Sequence, residues 1–540
     1  MLVVVQHGGH GGRAVLEGLL VVVALAATVI VGTTIGRRYS VAPPVLLIVM
    51  GGLLALIPQL SDVRLPASAV LVIFLPGILY WESLNTSLRE IRANIRVILL
   101  SAIGLVIATM VVLSYSLQAI GVASAAAWIL GAVLAPTDAA AVAGLAKRMP
   151  RRNLTTLRAE SLINDGTALV LFAVAVGMLV DGTSPSLLAI TGDLVWSIVG
   201  GVIAGLALGG LIFWIRRRMD DRLREGALSV LTPFAAFFLG ELIHASGVVA
   251  VVTVGLVHSY VGPRLIRARS RVQAFAFWDL STFVVNGSLF VLVGLQIPAA
   301  ARRIDNDKMG QAVGIAFAAT AIVILTRMVW THLIPGLIRI LDRRPIQRTR
   351  RLNWKVRTAY GWAGFRGAIS LAAALAVPSV LSGGTPYPDR DLIVFVTSVV
   401  VLTTILLQGL TLPWVVRWAG LSSDAARLDE ARHARVRAAE AGLAALPAVA
   451  RSLSAPAELI DRVRADYEAA VNEARSGDGH SERTSAEQLE RQVRLGVLEH
   501  ERLAVTAMRD RREIDDIVLR ELQASLDVTE IGLLGPQTTD

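Results

Sequence analysis

Up to about residue 418 the chain reads as apolar runs of roughly 17–25 residues separated by short polar loops. That length crosses a hydrocarbon core of about 30 Å as a helix. The runs lie near 15–35, 42–58, 66–83, 95–118, 122–146, 157–180, 188–214, 226–243, 245–261, 278–297, 310–336, 358–382 and 392–415. The pattern predicts an all-α polytopic membrane domain over 1–420, with about 13 transmembrane helices by the span criterion. Two runs are interrupted. Pro136 splits "AAAWILGAVLAPTDAAAVAGLA", and Gly361, Gly364 and Gly367 crowd "YGWAGFRGAISLAAALAVP". Proline and glycine at mid-span free backbone groups, which is tolerated where the backbone is buried in protein or lines a polar cavity. One break in each half of the chain fits inverted repeats carrying discontinuous helices. From 421 to 540 the apolar positions recur at three-to-four spacing among charges. That predicts a small helical tail, with "SGDGHSERTS" as a linker.

Composition sharpens this picture. Of 540 residues, 54% are hydrophobic, above the soluble norm of about 45–50%, and the mean hydropathy is +0.61. The net charge of +10 invites nucleic acid as a partner, but its distribution argues against one. The basic residues cluster between alternate runs: Arg37 and Arg38; Arg89, Arg92 and Arg96; Lys147, Arg148, Arg151 and Arg152; Arg216, Arg217 and Arg218; Arg264, Arg267, Arg269 and Arg271; Arg343 to Arg351. This is the bias of cytoplasmic loops in a cell-membrane protein. It places the N-terminus outside and the tail in the cytoplasm. The first run lacks a basic leader and a small-residue cleavage site, so it reads as a retained span. The absence of cysteine excludes disulfides and thiolate chemistry, and the eight scattered histidines form no metal motif.

Five ionisable residues fall in or near apolar runs: Glu82, Asp138, Glu160, Asp165 and Arg366. Each costs about 2.5–3.5 kcal/mol or more at a bilayer centre, so each needs a reason to be there. On one helix, Ser161 and Asp165 share a face, and Glu160 and Asn164 share the adjacent one. Ser161 and Asp165 can offer oxygens to one ligand. Arg366 is the arginine of an interrupted run, and a buried charge needs pairing, so Glu160 with Arg366 is the expected ion pair. Asp165 is then left to titrate. Pro136 frees nearby carbonyls. Thr137 adds a carbonyl and a hydroxyl, and Asp138 a carboxylate. Hard cations want oxygen ligands, so the site suits a small monovalent cation or a proton. No cofactor is called for.

The segments "APTDAAAV", "ESLINDGTALVLF" and "GWAGFRGAISLAAALAVP", in that order, resemble three signatures of the sodium/proton exchanger family. "FLPGILYWESLN" and "VNGSLFVLVGLQIP" are also similar to family segments. The likeness spans about residues 15–418 and is closest to the electroneutral branch. It implies thirteen or so helices in a dimerisation domain and a core domain, two broken helices crossing in the core, and a homodimer. It implies that Asp165 binds the ion, that Asn164 orients a broken helix, and that Thr137 and Ser161 supply oxygens. Glu82 and Asp138 match acidic positions that act through water, and Glu160 with Arg366 matches an ion pair. Where electrogenic relatives carry a second aspartate, this chain has Asn164.

The leading expectation is therefore a secondary antiporter exchanging Na+ for H+, with Asp165 holding either a cation or a proton and never both. Li+ or K+ could replace Na+, and a K+/H+ antiporter is the near variant. A cation channel is a different class, disfavoured because no filter-like segment is present. An intramembrane enzyme lacks a recognisable catalytic dyad.

Overall fold

The computed structural model describes residues 11–39, 42–57, 70–138, 151–181, 186–219, 221–266, 268–341, 353–381, 385–421, 425–476, 485–511, 513 and 516–534. The expected continuation of the first broken run past residue 138 and the linker at 477–484 lie outside these residues, as do the basic loop residues 342–352. The chain divides into two compact units, Met1–Ser423 and Asp424–Asp540.

The first unit is helical. Its elements are α1 (Gly11–Tyr39), α2 (Pro43–Leu54), α3 (Leu75–Leu84), α4 (Leu88–Leu99), α5 (Val106–Ala119), α6 (Ser124–Leu134), α7 (Arg151–Asp181), α8 (Leu187–Arg216), α9 (Arg222–Leu242), α10 (Gly247–Leu265), α11 (Ala268–Ala301), α12 (Asn306–Leu341), α13 (Trp354–Trp362), α14 (Ala368–Leu375) and α15 (Arg390–Trp418). Among the described residues, eight helices are long and apolar enough to cross a membrane, and four more apolar helices are shorter. Many large side chains face outward, among them Leu188, Leu206, Phe238 and Leu325. In a polytopic membrane protein such a surface meets lipid.

Local chemistry sets the boundaries. Side-chain oxygens cap helix N-termini, where the first N–H groups lack intrahelical partners. Ser87 accepts from Glu90 N, Ser186 from Ala189 N, Asp221 from Arg224 N and Ser246 from Val249 N. Two π-helical turns, Val70–Phe74 and Leu100–Leu105, precede α3 and α5. The second makes one irregular helix of the run near 95–118.

Small residues let helices cross closely, as membrane packing favours. A Cβ on Gly51 of α2 would overlap the Val291 carbonyl of α11, and one on Gly294 would overlap the Ile48 carbonyl. Gly201 and Gly205 of α8 likewise sit on the Ser246 and Ala250 carbonyls of α10. The main core joins α2, α5, α6, α7, α11, α12, α14 and α15, with Ile129, Leu130, Val293, Val323, Val396 and Val400 fully buried. A second core joins α3, α8, α9, α10 and α11 around Leu79, Tyr80, Val251 and Trp278.

The second unit contains α16 (Ala425–Ser452), α17 (Ala457–Ser476), α18 (Ser485–Asp510) and α19 (Asp516–Leu534). Tyr467 packs on Gly442, and Arg475 pairs with Glu440 at 2.6 Å, tying α17 to α16. Arg502 pairs with Asp527 and Glu530, tying α18 to α19. The tail is helical, as the periodicity predicts, and its helices form two pairs.

Candidate functional site

α6 ends at Leu134, ahead of Pro136, and residues 136–138 leave the helix. Proline disfavours helical geometry in the residue before it and cannot donate to the helix ladder. In the other half, α13 ends at Trp362 and α14 starts at Ala368, leaving residues 363–367 non-helical. These two breaks meet. Asp138 N donates to the Phe365 carbonyl at 2.9 Å. A Cβ on Gly367 would overlap the Asp138 carboxylate, so only glycine admits this approach.

Arg366 seals the joint. It is 1% exposed. Its Nε donates to the Leu134 carbonyl at 3.0 Å, its Nη1 donates to the Gly364 carbonyl at 2.5 Å, and its backbone N donates to Thr404 Oγ1 at 3.3 Å. Leu134 O is among the carbonyls left without intrahelical partners where α6 stops. The guanidinium therefore replaces the hydrogen bonds that the breaks remove.

α7 runs beside the joint and buries Glu160, Ser161, Asn164 and Asp165. Asn164 Nδ2 donates to Thr137 Oγ1 at 2.9 Å, tethering α7 to the first break. Arg327 of α12 donates from Nη1 to the same Oγ1 at 3.3 Å and to Glu160 Oε1 at 2.7 Å. The expected ion pair is corrected here. Glu160 bonds Arg327, while Arg366 spends its bonds on carbonyls and interacts with Glu160 only through the field. A side chain inside a non-helical break lies beside carbonyls freed from helix bonding, and these claim the guanidinium. Arg327, on an unbroken helix, has no such competitors.

Residue-level reading missed Arg327. Its signal was present: it stands inside the run "AATAIVILTRMVW", where a charge is as costly as any of the five weighed above.

Three carboxylates form the other half of the site. Glu82 on α3 and Asp165 on α7 each feel the charge of Asp138, and Asp165 also feels Glu82. Arg158, two residues before Glu160 on α7, offsets the charge at Glu82. Among the described residues, no hydrogen bond or ion pair engages the Asp165 carboxylate. Asn164 Oδ1 and Arg327 Nε are also buried without partners among them. No group of three His, Cys, Asp or Glu among the described residues is close enough to hold a resident metal. The arrangement suits a transient cation sharing a carboxylate with a proton.

A sequence profile of the sodium/hydrogen exchanger family, transmembrane, matches residues 23–418. The chain belongs to the sodium/hydrogen exchanger family. It is a multi-pass membrane transporter that exchanges a cation for protons, and not an enzyme. A protein described as an uncharacterized Na+/H+ exchanger of Mycobacterium tuberculosis is 53% identical over 531 residues, 97% of this chain and 98% of its own length. A Na+/H+ antiporter of Aphanothece halophytica is 32% identical over 420 residues, 76% of each chain. A sodium, potassium, lithium and rubidium/H+ antiporter of Bacillus subtilis is 30% identical over 414 residues, covering 74% of this exchanger and 61% of its own length. The sodium proton antiporter MjNhaP1 of Methanocaldococcus jannaschii superposes with a TM-score of 0.57 at 17% identity, over 75% of this chain and 98% of that one. That likeness shows the shared fold of the exchanger's helices.

Proposed function

We propose that the protein exchanges Na+ for H+, one for one, at Asp165. One observation carries the reading. Asp165 is buried beside two crossing helix breaks, and no described residue pairs with its carboxylate, while the neighbouring charges Glu160 and Arg327 neutralise each other. A buried carboxylate must be compensated, and here a proton or a cation does so in turn. Their mutual exclusion couples the two fluxes.

The Thr137 hydroxyl accepts from both Asn164 and Arg327, which occupies its two lone pairs. Thr137 therefore ligates the cation through its carbonyl. Ser161, one turn before Asp165 on the same face, supplies a hydroxyl oxygen. Asp138 and Glu82 act at the periphery through water. Alternation comes from rocking the body that carries the crossing against a dimerisation domain, in a homodimer of thirteen-helix subunits. The bias of basic residues toward alternate loops supports an N-terminus outside and residues 421–540 in the cytoplasm as an appendix to the transport domain.

Proton flux in everted vesicles or proteoliposomes, driven by Na+, Li+ or K+ in turn, tests the reading. A pH gradient dissipated on adding Na+ supports it. A response to K+ with none to Na+ would instead assign K+/H+ exchange.

A further inference from the structure

The exchange chemistry leaves one buried polar cluster unused, on the side of α3 away from the carboxylates. Tyr80 and His258 are 1% and 6% exposed, and Tyr80 Oη and His258 Nδ1 lie 3.0 Å apart in a hydrogen bond that either imidazole tautomer can make. Trp278 of α11 packs edge-on to Tyr80 at 5.4 Å and donates through Nε1 to Ser229 of α9 at 3.2 Å. Nε2 of His258 has no partner among the described residues, and neither does Nε of Arg216 on α8. Five helices thus bury polar groups around one hydrogen bond.

Tyr80 stands two residues before Glu82. On a helix of 3.6 residues per turn they point about 200° apart. The ring that locks into α9, α10 and α11 therefore determines where the carboxyl on the far face is aimed. Backbone packing allows little slack along the axis: a Cβ on Gly255 of α10 would come within 2.5 Å of Ser83 Cβ and 3.3 Å of Tyr80 O. Rotation is a separate freedom. The π-helical turn Val70–Phe74 immediately before α3 holds one residue more than an α-turn. Such turns are frequent at functional sites, and redistributing the extra residue would turn the helix beyond it.

We propose that the Tyr80–His258 hydrogen bond is a rotational latch on α3, and that His258 is a positioning residue holding Glu82 towards Asp138 and Asp165. The inference rests on the reading of Glu82 as part of the exchange site. The groups facing His258 are few. Tyr80 comes from α3 and Arg216 from α8, the latter the one charge among the described residues that acts on His258. Ser229 and Thr232 of α9 lie beside the Tyr80 hydroxyl, and Trp278 comes from α11. Among the described residues no carboxylate acts on His258 or Tyr80.

The test compares Tyr80→Phe, His258→Ala, His258→Asn, Glu82→Gln and the Tyr80→Phe/Glu82→Gln double variant of the full chain in proteoliposomes. Na+-driven proton flux is measured across Na+ concentration and pH, with thermal melts in detergent alongside. Tyr80→Phe removes one hydroxyl and keeps the ring, so it decides the matter if His258→Ala fails to fold. Tyr80→Phe is expected to raise the half-saturating Na+ concentration about five- to tenfold, the scale of one lost buried hydrogen bond. It should displace the pH profile in the same direction as Glu82→Gln, with a smaller loss of maximal rate. His258→Asn, which keeps an acceptor near the Nδ1 position, should retain most function. The double variant should be no worse than Glu82→Gln alone. The latch is overturned if Tyr80→Phe lowers only the melting temperature, or if its shift adds fully to that of Glu82→Gln. Wild-type behaviour of Glu82→Gln would overturn the role of Glu82 itself, and the latch with it.

Discussion

The Glu160 carboxylate accepts a 2.7 Å hydrogen bond from the Arg327 guanidinium, with both side chains almost wholly buried. The same Arg327 nitrogen also reaches Thr137, so one charge pair braces α7, α12 and the first helix break together. Removing either partner strands the other. For a truly buried pair that costs about 3–5 kcal/mol. Arg327→Ala and Glu160→Ala should each lower the melting temperature in detergent, and the double variant should fall well short of their sum. Glu160→Ala combined with Arg366→Ala should come closer to additivity, because Arg366 bonds carbonyls. Strict additivity for Glu160 and Arg327 would show that their contact does not stabilise the protein.

Asp165→Asn should abolish exchange while leaving insertion and melting near wild type. The amide keeps the shape of the carboxylate but carries no titratable charge to compensate. Cation-driven proton flux near the wild-type level in purified Asp165→Asn protein would falsify the shared-site mechanism.

Exchange should be electroneutral. Glu160 is held by Arg327, and Asn164 cannot ionise, which leaves Asp165 as the carboxylate that changes state. A two-for-one cycle would gain about 2.3 kcal/mol per 100 mV from its unbalanced charge. Flux is to be measured in proteoliposomes with and without a potential clamped by potassium and valinomycin. A rate and end point that both follow the voltage would implicate Asp138 or Glu82 as a second proton carrier.

Gly367→Ala should impair exchange severely. Its methyl would overlap the Asp138 carboxylate and force the two breaks apart. Gly364→Ala should also be harmful, since its methyl would overlap the Arg327 side chain. Gly314→Ala on α12 meets nothing within 4 Å and serves as the control. Wild-type flux in Gly367→Ala would mean that the crossing tolerates separation.

Much of this architecture is legible in the chain. Span-length apolar runs fix the membrane helices, and Pro136 and the glycines at 361–367 fall where helices stop. The Ser161 to Asp165 spacing puts both residues on one buried face. Pairing between helices is less visible. Spacing along a single helix says nothing about which helix lies opposite, so the partner of Glu160 is expected only from Arg366 being the arginine of an interrupted run and from the family resemblance. Both point to the arginine beside the glycines and pass over Arg327. The π-helical turns at 70–74 and 100–105 are equally hidden, because one extra residue leaves an apolar run looking apolar. The tail's second helix pair is hidden for another reason: residues 511–515 between α18 and α19 are mostly charged and hold no proline or glycine to mark a stop.

The bond from Asp138 N to the Phe365 carbonyl is made by main chain on both sides. Neither donor nor acceptor depends on side-chain identity. The knot that holds the transport core can thus outlast changes in the side chains around it. If the proposed exchange site is right, substitutions at Asp138 or Ser161 are expected to retune which ion is carried while this main-chain tie stays in place, so selectivity is free to diverge on one scaffold.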